Sequence, residues 1–203
     1  MPLAPMLLAL ALAGMFACHS KPPVDEKDYA NTVAAARSAK DAELMSSPDV
    51  IAENRRGELL PLAYFAIDPD YSVPAVLKPS NDRTIIQMST STGTMRQMRR
   101  VGTLEFTLKG QPSQLTAFVE VGAPNLDHLF LPFMDFTTGT ETYPGGRYID
   151  LDRTASGVYD LDFNKAYHPY CFFNSSYDCP YPPTENRLKV PIRAGERLPR
   201  PNR

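Results

Sequence analysis

The chain has 203 residues, enough for one domain with a sizeable core once its ends are set aside, with little room for a second. A formal net charge of −2 offers no broad basic surface, and Arg96, Arg99 and Arg100 are too few to change that, so nucleic acid is excluded as a partner. Twenty prolines, and no long apolar-periodic segment after residue 60, argue against a helical bundle and for short strands joined by turns.

Met6 to Phe16 is an apolar run too short to span a bilayer and of the right length for the core of a signal peptide. It ends Met15-Phe16-Ala17-Cys18, which resembles the lipobox of bacterial lipoproteins; residues 1–18 are read as a signal with Cys18 as the lipidation site. The alternative is ordinary cleavage after Ala11-Leu12-Ala13. Cysteine parity favours the lipid, because it leaves Cys171 and Cys179 as an even pair in an oxidising compartment. The expected location is therefore the cell envelope, with the membrane as a partner through the anchor. Residues 19–25, with Pro22-Pro23, read as a stiff tether.

Asp25 is placed to cap a short N-terminal helix whose thin apolar face is Tyr29, Val33 and Ala36, stopped by Ser46-Ser47-Pro48. A second helical turn over 49–55 precedes an apolar block, Leu59, Leu60, Leu62, Tyr64 and Phe65, read as a core anchor. From Tyr71 the rhythm becomes period 2, clearest where Leu104, Phe106 and Leu108 alternate with Glu105, Thr107 and Lys109. Strands are predicted near 71–78, 84–91, 94–101, 103–109, 113–121, 128–135, 147–152, 157–163 and 188–194. The expected fold is mainly β: an antiparallel meander of eight or nine strands, closed or nearly closed into a barrel by the last one, in a single domain over 26–196 with a tail over 197–203. Strands 147–152 and 157–163 are expected to pair, with Ile149 opposite Leu161, Leu151 opposite Tyr159, Asp150 opposite Asp160 and Tyr148 opposite Asp162. Their acidic face reads as a solvated surface, with a hard-cation site or a shared-proton carboxylate pair as alternatives.

Residues 160–187, DLDFNKAYHPYCFFNSSYDCPYPPTENR, show no regular period beyond Phe163 yet hold four of the ten tyrosines and two of the three cysteines. So long and aromatic a loop is either a functional lid or a piece of core built without regular structure. Thr138-Gly139-Thr140-Glu141-Thr142-Tyr143, Gly146-Arg147-Tyr148, Leu161-Asp162-Phe163-Asn164, Ala166-Tyr167, Cys179-Pro180 and Pro182-Pro183-Thr184-Glu185-Asn186-Arg187-Leu188 together resemble the bacterial family of domain of unknown function 1684. The resemblance runs from about residue 29 to Glu196 and implies a single domain, often behind a lipoprotein signal. His168 stands where the family has asparagine, which counts against a required role for that histidine.

Cys171 and Cys179 enclose a nine-residue ring rich in turn formers and are expected to form a disulfide worth about 2.5 kcal/mol. A soft-metal site from His168, Cys171 and Cys179 is the rival, but the spacing matches no zinc pattern. Met88, Met95 and Met98 suggest copper, yet Met95 and Met98 have opposite strand parity, and packing is preferred. Glu141, Tyr143, Arg147, Asp162, Asn164 and Tyr167 are expected at one rim beside the aromatic loop, where Arg147 would hold an anion. The same groups could instead form a structural ion pair pinning the loop. The reading is an envelope protein that binds a small polar ligand or an envelope partner, with no cofactor; the alternative is a hydrolase using Glu141 and Asp162 as acid and base.

Overall fold

The computed structural model describes residues 25–82 and 84–199; the expected signal peptide, the lipidation site Cys18 and most of the tether lie outside them. Helix α1 spans Glu26–Ser46, and its cap is the expected one, since the Asp25 carboxylate accepts from the Lys27 and Asp28 amides at 2.9 and 3.2 Å. The docked stripe of α1 is Tyr29, Val33, Arg37, Lys40 and Leu44, recurring at helical spacing. Only Val33 and Leu44 are both apolar and buried. Polar bonds hold the rest: Tyr29 to Asp162 at 2.9 Å, Arg37 to the Phe65 carbonyl at 3.0 Å, and Asp41 accepting the Leu62 amide at 3.0 Å. No helix among the described residues is long and apolar enough to cross a membrane. Helix α2, Glu53–Leu59, leads into the apolar block, where Leu59 and Leu62 bury against Leu44, Ile51 and Phe173, the anchor the sequence suggested.

Seven strands follow, β1 Ser72–Pro79, β2 Ile85–Ser89, β3 Met95–Leu108, β4 Gln111–Glu120, β5 His128–Phe133, β6 Arg147–Asp152 and β7 Val158–Asp162. They form one antiparallel sheet in the order β6-β5-β4-β3-β1-β7, with β2 on the first half of β3, curled into a nearly closed barrel. Two expected strands, 94–101 and 103–109, are one. Gly102 shifts the register without ending the strand, because a Cβ there would lie 2.3 Å from the Lys78 carbonyl oxygen and only glycine admits that approach. Alternation places Leu104, Phe106 and Leu108 inside with Leu115, Ala117 and Val119, closed at one end by Phe133 and Phe163. Met88 and Met98 are buried in the packing role expected of them, and Met95, on the opposite face as its parity predicts, is exposed.

Two strand assignments need correction. β6 and β7 do not pair with each other: Ile149 lies opposite Leu131 and Asp150 opposite Phe130, whereas Leu161 lies opposite Val73 and Asp160 opposite Pro74. The sheet's curl carries β7 round to β1, so the two strands become its two ends, and the opposed carboxylates do not occur. Residues 188–194 are not a strand. Ile192 and Ala194 are fully buried, but their carbonyls face the side chain of Arg147 rather than a neighbouring backbone.

Where the β4–β5 ladder thins to the single pair Phe118 and Phe130, Asn186 substitutes for a strand. Its amide oxygen accepts the Thr116 N–H at 2.8 Å, and its nitrogen donates to the carbonyls of Thr116 and Pro132 at 2.9 and 2.8 Å.

Candidate functional site

The expected rim does not assemble as one group. Arg147 is 1 % exposed and pairs with Asp135 at 3.0 Å, not with Glu141 or Asp162. Its guanidinium also donates to the carbonyls of Ile192 at 2.7 Å, Ala194 at 2.5 Å and Glu196 at 3.1 Å, between the rings of Phe65 and Phe133. Glu141 faces solvent in an ion pair with Arg193 at 2.9 Å. Asp162 accepts from Tyr29 and from the Asn164 amide, both at 2.9 Å, and Asn164 in turn grips Asp68 through both its amide groups. Asp162 and Asn164 are thus buried cap groups that seat α1, and Arg147 is buried through Asp135 rather than in the ion pair with Glu141 or Asp162 that the structural alternative expected. Burial and the Asp162 charge push the Tyr29 phenol well above its ordinary value.

Tyr143 and Tyr167 lie with the aromatic loop, which crosses the outer face of the barrel between two moorings. At one end Tyr167 bridges Tyr148 on β6; at the other Pro180 bridges Thr90, and the Tyr181 amide donates to the Ser89 carbonyl at 2.8 Å beside β2. Asp178 fastens the middle, accepting from the hydroxyls of Thr92 and Thr94 and from Arg96 at 3.1 Å. Hydrogen bonds from the threonines about Asp178, with that of Arg96, lower its carboxyl to about 2.

A cleft of about 720 Å³ opens between this loop and strands β3 to β6. Phe130, Tyr148, Tyr167, Tyr170 and Tyr177 supply ring surface, and Lys40, Arg96, Glu120, His128 and Asp150 the polar groups. The Phe130 and Tyr148 rings meet edge to face at 4.7 Å, as do Tyr148 and Tyr167 at 5.7 Å. Asp150 joins floor to rim, accepting the Tyr167 hydroxyl at 2.5 Å through one oxygen and lying 3.3 Å from His128 Nε2 through the other. Burial, reinforced by the Asp150 charge, raises the Tyr167 phenol far above its usual range, so it stays a donor. Lys40 lies 4.6 Å above the Tyr167 ring and is bound to Glu196 at 2.5 Å, so α1 contributes to the cleft wall. The arrangement suits a small molecule with a flat apolar face and a polar edge.

Of the six residues expected at the rim only Tyr167 lines this cleft, together with Cys179 from the expected disulfide. The others that do so were visible as same-face pairs, His128 with Phe130 on β5 and Tyr148 with Asp150 on β6, but strand parity alone does not say which face a loop will cover. His168 is buried beneath the loop. Its Nε2 accepts the Tyr143 amide at 3.3 Å, and burial, with Arg147 and Lys40 nearby, lowers it to about 3, so it is a neutral packing group. Among the described residues no group of three or more histidine, cysteine or acidic side chains is placed to hold a metal.

The expected disulfide is not formed. Cys171 and Cys179 are both buried free thiols, and the Cys171 amide donates to Cys179 Sγ at 3.1 Å. The segment is instead fixed by backbone bridges, the Asp178 clasp and its rings.

Comparison with known proteins bears on the fold and not on a ligand. A solution NMR structure of an uncharacterized protein of Haloarcula marismortui is similar with a TM-score of 0.67 and 35% identity, over 86% of this chain and 96% of that one. No curated protein matches the chain. Residues 59–197 match the family described as "Protein of unknown function (DUF1684)", so the barrel and the loop that crosses it belong to a DUF1684 protein.

Proposed function

We propose that this DUF1684 protein captures a small polar ligand with a flat face in the cleft under its aromatic loop, and that it does so in the cell envelope, held by lipid on Cys18. The observation that carries the binding reading is the cleft itself. Its volume lies in the ordinary range for small-molecule sites, and five rings face a few convergent polar groups there. The apolar run over 6–16 and the Ala17-Cys18 step support export and anchoring, and α1 begins directly after the short tether.

A hydrolase built on Glu141 and Asp162 has less support, because the two carboxylates have separate partners and neither lines the cleft. Asp150 and His128 could orient a ligand hydroxyl or amide.

Native mass spectrometry of the protein isolated from the envelope fraction tests both halves. The expected spectrum shows lipid on residue 18 and a retained small molecule that is lost in Tyr170→Ala, whose side chain is 39 % exposed, with circular dichroism to show that the variant is folded. A bare N-terminus would overturn the anchoring. No retained molecule, together with no sugar or phenol fragment whose NMR-detected binding depends on Tyr170 and Phe130, would overturn the binding.

A further inference from the structure

The rings and polar groups of the cleft select among classes of small ligand. Phe130 and Tyr148 are turned 76° to each other, and Tyr148 and Tyr167 are turned 87°. A planar aromatic ligand lies flat on one of these rings and then meets its neighbour on edge, whereas a puckered saturated ring presents C–H groups in several directions at once. One face of Tyr167 is already taken, because Lys40 lies 4.6 Å over that ring. A ligand ammonium brought there would meet a like charge.

The cations are matched within the protein. Lys40 is bound to Glu196 at 2.5 Å, and Arg96 lies 3.1 Å from Asp178 and 3.6 Å from Glu120. An anion entering the cleft would have to displace a carboxylate from its cation. Hydrogen-bonding capacity of both kinds is what the cleft still offers. A carboxylate has about four acceptor sites, and Asp150 uses one for the Tyr167 hydroxyl and one toward His128. Asn125 accepts the Asp127 amide at 2.9 Å through its oxygen, so its nitrogen is a donor. Asn125, the His128 imidazole and the Arg96 guanidinium line the same cleft as Asp150. Acceptors and donors thus stand beside apolar ring faces.

We infer that the ligand class of this cleft is a neutral pyranose sugar, whose C–H face packs on the aromatic wall while neighbouring hydroxyls donate to Asp150 and accept from the donors around it. The inference rests on the reading that the cleft binds a small molecule, and adds its chemical class. A hydroxyl both donates and accepts, so a vicinal pair meets the carboxylate and its neighbours together without bringing in a new charge. Hydrogen bonds to an ionised carboxylate are the stronger kind, which makes Asp150 the specificity-determining group.

The test is an NMR titration of the full chain that follows the backbone amide signals of Phe130, Tyr148, Asp150 and Tyr167. The probes are methyl α-D-glucopyranoside, methyl β-D-galactopyranoside and N-acetylglucosamine, with cyclohexanol, sodium benzoate and tetramethylammonium chloride for comparison. At least one of the sugars should move these signals with a Kd of about a millimolar, the scale for a ligand of so few atoms. Cyclohexanol, a saturated ring with one hydroxyl, should bind about tenfold more weakly or worse, and Asp150→Asn should weaken the best sugar by a similar factor. Cyclohexanol within about threefold of the best sugar, or benzoate or tetramethylammonium binding more tightly than any sugar, would overturn the sugar class and leave the cleft a binding site. Signals that none of these probes moves would overturn the sugar class and the cleft reading beneath it. The comparison among probes uses the parent chain, so it stands even if Asp150→Asn folds poorly.

Discussion

Replacing Arg147 with methionine removes the group that stands in for a missing strand. The substitution keeps the length and apolar stem, so the rings of Phe65 and Phe133 retain a neighbour, but it leaves the buried Asp135 carboxylate without its cation. Breaking one side of a buried pair costs about 3–5 kcal/mol. The carbonyls of Ile192, Ala194 and Glu196 also lose their donor, at about 1 kcal/mol each on the low side. The sum, roughly 6–8 kcal/mol, compares with a total of about 5–15 for a domain of this kind, so Arg147→Met should be largely unfolded without denaturant. Urea unfolding followed by far-ultraviolet circular dichroism and tyrosine fluorescence, with no tryptophan to mask it, gives the measurement. Arg147→Lys, which keeps the charge but not the fork, should lose about 2–4 kcal/mol. Arg193→Ala, which breaks the exposed pair with Glu141, should leave the urea midpoint essentially where it is. A methionine variant within about 1 kcal/mol of the parent would refute the claim that this guanidinium closes the barrel.

Asn186→Ala should lose about 3 kcal/mol by urea titration, since it orphans one buried amide and two buried carbonyls between β4 and β5. Gly195→Ala should destabilise the fold by about 2 kcal/mol or more, read as a clear fall in melting temperature: φ there is +76° and the new Cβ would lie 2.4 Å from the Ala166 carbonyl oxygen. Asp178 has a pH signature. Its folded-state pKa is about 2, below the unfolded value of about 3.9, so its contribution is full above that value and vanishes as pH falls through the folded one. Discounted for partial exposure, it is about 1 kcal/mol, and the stability gap between parent and Asp178→Asn should close between about pH 5 and pH 2.

Much of the frame could be read from residue order. Asp25 as a cap, the alternation of Leu104, Phe106 and Leu108, and the parity of Met95 and Met98 are local properties, and each appears as expected. What local pattern could not supply was which strand lies beside which. β6 and β7 have complementary apolar sets, but so do β6 with β5 and β7 with β1, and the curl of the sheet decides between them. The segment 188–194 alternates like a strand because its inward residues do bury; a single arginine taking its carbonyls is a long-range event with no periodic trace. The site was harder for the same reason. The loop was recognisable as something that must cover a surface, but the covered face is assembled from four strands, and of the expected rim group only Tyr167 belongs to the cleft lining. The thin apolar face of α1 also has a cause: Arg37 and Lys40 occupy positions in the docked stripe that leucines would fill in an ordinary amphipathic helix.

The guanidinium clasp on residues 192–196 bears on the order of assembly. Arg147 is synthesised some forty-five residues before the carbonyls it must hold. Until they arrive only Asp135 meets its charge and its remaining donors lack their carbonyls, and the end of the barrel that receives α1 lacks Glu196, the partner of Lys40. Completion therefore waits for a stretch made after the last strand, and a chain cut short before residue 196 leaves an incomplete shell. Such late closure means that the decisive contacts join distant parts of the chain, the topology that goes with slow folding.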